Sequence, residues 1–128
     1  MDRLMPYSEP IPTVVISRPG VMQQALRASL ALCPRILVVA SASDGPAALT
    51  QIDLLEPSLV VIDSHLRMGE IMDVLTSLGT RQHRPRCLVL VQSSQDERTM
   101  LAAGADAVLL RDSSGYEMQT LLTQLAQM

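Results

Sequence analysis

Five short runs of aliphatic residues divide this chain, and none of them alternates apolar with polar. They are TVVIS (13–17), RILVVA (35–40), SLVVID (58–63), CLVLV (87–91) and DAVLL (106–110). A strand with one face in water shows a period of two. A continuous Val/Ile/Leu run belongs to a strand covered on both faces. Between the runs lie residues at helical spacing: Val21, Ala25, Leu26, Leu30 and Cys33 before Pro34, then Ala47, Leu49, Ile52 and Leu55 before Pro57, then Ile71, Val74, Leu75 and Leu78. Ser43 is expected to cap the second helix, with Pro46 in its first turn. Ser93/Asp96 and Ser94/Glu97 offer capping boxes for a short fourth helix, and Ser114/Glu117 for a last one carrying Leu121, Leu122 and Leu125 inward. Gly104, in AAGAD, reads as a helix C-cap that needs positive φ.

Strictly alternating strands and helices predict an α/β domain with a parallel sheet between two helical layers, joined by right-handed crossovers. Residues 1–11, with Pro6 and Pro10, read as an N-terminal tail, and residues 12–128 as the domain. In such sheets binding and chemistry sit at the carboxyl ends of the strands, here Ser17, Asp63, Val91 and Arg111.

Composition narrows the chemistry. The chain has 128 residues, enough for one domain with a substantial core. Hydrophobic residues make up 48% and aromatics only 2%, so the core is aliphatic and stacking platforms for bases or sugars are missing. The net charge of −3 gives no nucleic-acid footprint. There is no lysine, which removes Schiff-base and phosphate-loop lysine chemistry. Cys33 and Cys87 adjoin apolar runs and read as small buried residues. His65 and His83 lack ligand-spaced partners and read as exposed loop residues. The RQHRPR segment (81–86) reads as a solvated loop rather than a phosphate patch. The N-terminal stretch is not a signal peptide and no apolar run spans a bilayer, so the cytoplasm is the expected compartment.

LEPSLVVID (55–63), AAGADAVLLRDSSGYEM (102–118) and LRASL (26–30) together resemble the receiver domain of two-component response regulators, within the nitrate/LuxR-type subfamily. The resemblance runs from about residue 12 to 128. It implies a flavodoxin-like (βα)5 doubly wound sheet with strand order 2-1-3-4-5. It also implies that Asp63 is the phospho-acceptor position. Other working positions depart from the family pattern. The two acids after the first strand, which help hold Mg²⁺, fall on Ser17 and Arg18. The Met-Pro after the acceptor falls on Leu66 and Arg67. The hydroxyl residue ending the fourth strand falls on Val91, with Ser93 two residues on as a substitute. The aromatic switch position falls on Val108, and the lysine ending the fifth strand on Arg111. The backbone carbonyl that the family lends to Mg²⁺ falls on His65.

Mg²⁺ requires near-octahedral oxygen ligation and more than one carboxylate. With Asp63 as the one assignable acid, Mg²⁺ binding is expected to be weak or absent, and no metal or other cofactor is assigned. An arginine about 4 Å from Asp63 would attract it by roughly 4 kcal/mol at an effective dielectric near 20, before desolvation. Arg18 and/or Arg111 are therefore expected to stand in for the ion.

The resemblance then points to a pseudo-receiver, not an enzyme. It would work through protein contacts with a histidine kinase or an output domain, by the face of the fourth helix, fifth strand and fifth helix, or as a homodimer. Any DNA-reading domain would lie outside these residues. Two alternatives remain open: a working phospho-acceptor in a phosphorelay, and a small-molecule-binding domain on the same fold.

Overall fold

The computed structural model describes residues 9–63, 65–111 and 115–126. Ten elements alternate along the chain: β1 (Ile11–Ile16), α1 (Val21–Ala31), β2 (Ile36–Ala42), α2 (Gly45–Leu55), β3 (Leu59–Asp63), α3 (Met68–Gly79), β4 (Arg86–Val91), α4 (Ser94–Ala102), β5 (Ala107–Leu110) and α5 (Gly115–Ala126). All strand pairs are parallel, in the order β2-β1-β3-β4-β5. This is the flavodoxin-like (βα)5 sheet.

The continuous apolar runs have the predicted consequence. Val14, Ile16, Val60, Ile62, Val89 and Val91 fill one face of the sheet with α2, α3 and α4 residues such as Ile52, Val74 and Met100. Val15, Val61, Leu88 and Leu90 fill the other, against Leu26, Leu30, Leu122 and Leu125 of α1 and α5. A period-two strand between two helical layers thus buries both faces, fully in the central β3 and nearly so in β1 and β4, while the edge strands β2 and β5 stay partly exposed.

Several boundaries move. β1 begins at Ile11, two residues before the run that announced it. The amide of Ile11 donates to the Arg35 carbonyl (2.7 Å), and the Pro12 carbonyl accepts from Ser58 (2.9 Å). A proline is tolerated because it stands near the start of the strand. β2 runs to Ala42, past its expected end, and its register slips so that Val38 and Ala40 pair with the adjacent Thr13 and Val14. Val39 is the extra residue of this bulge. The bulge kinks an uncharged edge strand and blunts it against further pairing.

Helix caps also correct the sequence reading. α2 is capped by Asp44, not Ser43: the Asp44 carboxylate accepts from Ala47 N (2.8 Å) and its extended backbone suits the position. A second carboxylate, Glu70 of α3, accepts from Gly45 N (2.5 Å), so two acids face the positive end of α2. α4 is capped by Ser93, whose Oγ accepts from Asp96 N (3.3 Å), while Ser94 is already helical. The Ser114/Glu117 pair involves Ser114, which lies outside the described residues.

The GAD tripeptide has a local explanation. Gly104 follows α4 with φ +116°; its amide donates to the Leu101 carbonyl and that of Ala105 to Met100, which is a Schellman ending. Two residues later the Asp106 carboxylate accepts from Cys87 N (2.7 Å) and Arg84 Nη1 (3.1 Å), fixing the start of β5 against β4. Arg84 also reaches the Gly104 carbonyl, and Arg81 pairs with Asp53 (2.7 Å). The arginine-rich segment is therefore built into ion pairs rather than left as a solvated loop.

A Cβ at Gly104 would meet no atom within 4 Å, so replacement tests the backbone alone. Gly104→Ala is expected to lower unfolding stability by about 1–2 kcal/mol in a denaturant titration. A loss under about 0.3 kcal/mol would contradict the left-handed C-cap.

Candidate functional site

β1, β3, β4 and β5 end together on one side of the sheet, and their last residues bring the site together. Asp63 closes β3 at 1% exposure, an extreme for a carboxylate. Ser17 follows β1 and is fully buried. Its Oγ lies 3.3 Å from Asp63 Oδ2 and donates to it. The His65 amide donates to Asp63 Oδ1 (3.1 Å).

Arg111 follows β5. β4 lies between it and β3, so its side chain must cross two inter-strand spacings, roughly 10 Å. It does so with its amide anchored on the Val91 carbonyl (2.8 Å). Arg111 Nε stands 3.3 Å from Asp63 Oδ1 and Nη2 3.4 Å from Oδ2. The fork thus spans both carboxylate oxygens, a geometry a lysine cannot reproduce. Its third nitrogen, Nη1, meets His65 Nε2.

Arg18 is exposed and turns elsewhere: its Nε donates to the His65 carbonyl (2.8 Å). Of the two arginines considered for Asp63, then, Arg111 sits on the carboxylate and Arg18 on the neighbouring carbonyl. Val91 is buried in the core under β4. Ser93 is exposed at the head of α4, its hydroxyl serving as the helix cap. Val108 is half-buried and packs on the α2–α4 face of the core. Leu66 is buried, and Arg67 is the N-cap of α3 without a side-chain capping bond.

His65 is the site residue that sequence reasoning undervalued. It is exposed, as expected, but not isolated: Arg111 and the Gln92 amide (3.5 Å from Nδ1) face its ring. A histidine two places after the strand-ending acid was the available signal. Without a fold its partners, 27 and 46 residues away, could not be seen.

The donor set does not fit Mg²⁺. Both oxygens of Asp63 face Arg111, the His65 carbonyl is taken by Arg18, and Ser17 and Arg18 carry no carboxylate. No group of three or more His, Cys, Asp or Glu side chains suited to a metal occurs among the described residues. The thiols offer no nucleophile: burial pushes Cys87 far above its ordinary value, with the Asp106 charge adding to it, and burial also raises Cys33. Near the strand ends, an open cleft of about 370 Å³ lies between Arg18, Pro19, Ser43, Leu66 and Glu70. A larger groove, about 850 Å³, lies at the opposite end of the sheet between Glu9, Arg35, Glu56, Arg86 and Leu125. No helix among the described residues is long and apolar enough to cross a membrane.

The 2-1-3-4-5 parallel sheet, with a buried aspartate ending β3 and an arginine after β5, is the arrangement expected from the receiver resemblance. No protein-family model matches the chain. The nitrate/nitrite response regulator NarP of Escherichia coli K12 is 29% identical over 111 residues, covering 85% of this chain and 52% of that protein. The nitrate/nitrite response regulator NarL of the same strain is 26% identical over 124 residues, covering 95% of this chain and 57% of that protein. The chain thus spans about half the length of the curated relatives it matches. Among solved structures, the signal receiver domain of a NarL response regulator from Mycobacterium tuberculosis superposes with TM-score 0.82 at 23% identity, covering 93% of this chain and 98% of that one. The chain has the receiver fold and is similar in sequence, over most of its length, to nitrate/LuxR-type response regulators.

Removing the guanidinium leaves a buried, unneutralised carboxylate. Arg111→Met is expected to cost roughly 3 kcal/mol of stability, and adding Asp63→Asn should recover much of it. Additive losses in a double-mutant cycle of chemical denaturation would show that the two side chains do not interact.

Proposed function

We propose that this domain is a pseudo-receiver, signalling by protein contact without Mg²⁺-dependent phosphorylation. The observation that carries this reading is the occupation of two oxygen sites by two arginines. Arg111 covers the Asp63 carboxylate and Arg18 takes the His65 carbonyl. A divalent ion entering there would displace both guanidinium contacts and meet their repulsion. The switch residues support the same reading. Val91 has no hydroxyl to follow a phosphoryl group, and Val108 has no ring to swing inward. Phosphorylation works by adding charge that such groups answer.

The partners that fit are a histidine kinase, an output domain or a second copy of the chain. The face of α4, β5 and α5 is the surface proposed for them; Leu101 and Leu110 are exposed there. DNA reading would belong to residues outside this domain. Its expected compartment is the cytoplasm, and no catalytic turnover is assigned to it.

The retained, buried Asp63 favours one rival, a working phospho-acceptor in a phosphorelay. Incubation with acetyl phosphate and Mg²⁺, followed by intact-mass measurement, separates the two. The expected result is an unchanged mass. A gain of one phosphoryl group, absent in Asp63→Asn, overturns the proposal.

Restoring acids should restore the ion. The double variant Ser17→Asp/Arg18→Asp is expected to bind Mn²⁺, read as paramagnetic broadening of the amides around residue 63, where the wild-type domain is not broadened. Equal broadening in both would refute displacement of the metal by arginine.

A further inference from the structure

The stretch from Ile36 to Leu55 builds β2 and α2, and only Asp44 and Asp53 in it carry charge. Asp44 caps α2, and Asp53 is tied to Arg81 beyond the end of α3. Each of the other helices shows a charged residue to solvent: Arg27 on α1, Asp73 on α3, Arg98 on α4 and Glu117 on α5. On α2 the outward row is instead Ala47, Thr50 and Leu54, at the spacing of one helix face.

Leu37, Val39, Leu54 and Leu55 are all exposed, Leu54 at 73%. Ile36 and Val38 pack on the α1–α5 side of the sheet, so Leu37 between them points to the α2 side. Val39 is the bulge residue beside it. Asp53 is directed towards α3, and Leu55, about 200° further round the helix, faces the open β2 edge. The four side chains thus share one side of the domain. Charge depletion around exposed aliphatic side chains is what the centre of an interface looks like.

We propose that this β2–α2 side seats a second copy of the chain in a weak two-fold dimer. Two-fold symmetry sets the patch against itself, with the two α2 helices antiparallel and Thr50, at their midpoint, near the axis. An uncharged face meets its own copy without repulsion, whereas a charged partner would leave its own groups unpaired against it. Head-to-tail packing also keeps the two Asp44 carboxylates apart. Each approaches the start of β2 in the other copy, where Arg35 stands with Glu56. The bulge at Val39 interrupts the edge ladder, so the copies meet by side chains rather than by extending the sheet. With the β2 edge, α2 can cover on the order of 500 Å² per copy, close to the lower limit for a specific interface, which makes the dimer concentration-dependent. β2 and β5 are opposite edges of the sheet, so a copy seated here leaves the face of α4, β5 and α5 open to a kinase or an output domain. Phosphorylation at Asp63 would defeat the pseudo-receiver reading and leave this proposal standing.

The test is sedimentation equilibrium of the wild-type domain, Leu54→Glu and Leu101→Glu between about 10 µM and about 1 mM. The wild type is expected to move from monomer towards dimer mass across this range. Leu54→Glu should weaken association at least about tenfold, because each copy would bury a carboxylate without a partner. Leu101→Glu, an exposed change on α4, should associate as the wild type does. A wild type that stays monomeric leaves the face to a different protein and overturns the proposal. Wild-type association of Leu54→Glu, or loss of the dimer in Leu101→Glu, overturns it equally. If Leu54→Glu does not fold, Thr50→Cys decides. Oxidation with copper phenanthroline should join two chains through residue 50, since Cys33 and Cys87 are buried, and failure to cross-link overturns the proposal.

Discussion

A carboxylate buried at the mouth of a parallel sheet has to be neutralised, and the way this is done at Asp63 sets everything around it. The sheet is covered on both faces, so the last residue of β3 cannot turn its side chain into water without leaving the fold. At 1% exposure Asp63 needs a compensating charge and a full set of donors. Arg111 provides the charge through a fork that spans both oxygens. Ser17 and the His65 amide provide two further hydrogen bonds. At about 3.3 Å the Coulomb attraction is roughly 5 kcal/mol at an effective dielectric near 20. Desolvation of both ions takes back much of this, so the pair is better understood as what makes the buried acid tolerable than as a large net source of stability.

The same logic explains why two arginines are present. In a pocket built around a divalent ion, the ion draws together a carboxylate and a backbone carbonyl. Without it each acceptor must find its own donor, because neither is cheap to leave bare in a dry pocket. Arg111 answers the carboxylate and Arg18 the carbonyl. The proposed arginine-held pocket accounts for Ser17, Arg18 and Arg111 together. Ser17 adds no negative charge beside Asp63, and its hydroxyl donates to the carboxylate.

The layout of the fold was legible because it depends on period and punctuation. Continuous aliphatic runs specify strands covered on both faces, and Pro34, Pro57 and Gly104 mark helix limits. The details that were not legible depend on geometry finer than pattern. Ser43 and Asp44 are both plausible caps by residue type, and the backbone angles select the second. Val39 looks like any strand residue, yet the register passes over it. The ion pairs of Arg84 with Asp106 and Arg81 with Asp53 join residues 22 and 28 apart, which only the topology brings into contact.

The site divides in the same way. Asp63, Ser17, Arg18, Val91 and Arg111 could be placed at the strand ends from the order of elements. Which arginine would take Asp63 could not, because both follow strands that flank it in the sheet or lie one strand further. Reach decides against intuition. Arg18 follows the adjacent strand and, on leaving β1, is directed across the loop to the His65 carbonyl. Arg111 starts a strand further away, but its backbone is pinned to Val91 and its length matches the span. A long side chain at the end of a distant strand is thus better placed to lie flat over the strand ends than a short route from the neighbouring loop. The pocket is covered from the β5 side, by a residue that follows the strand bordering the proposed partner surface.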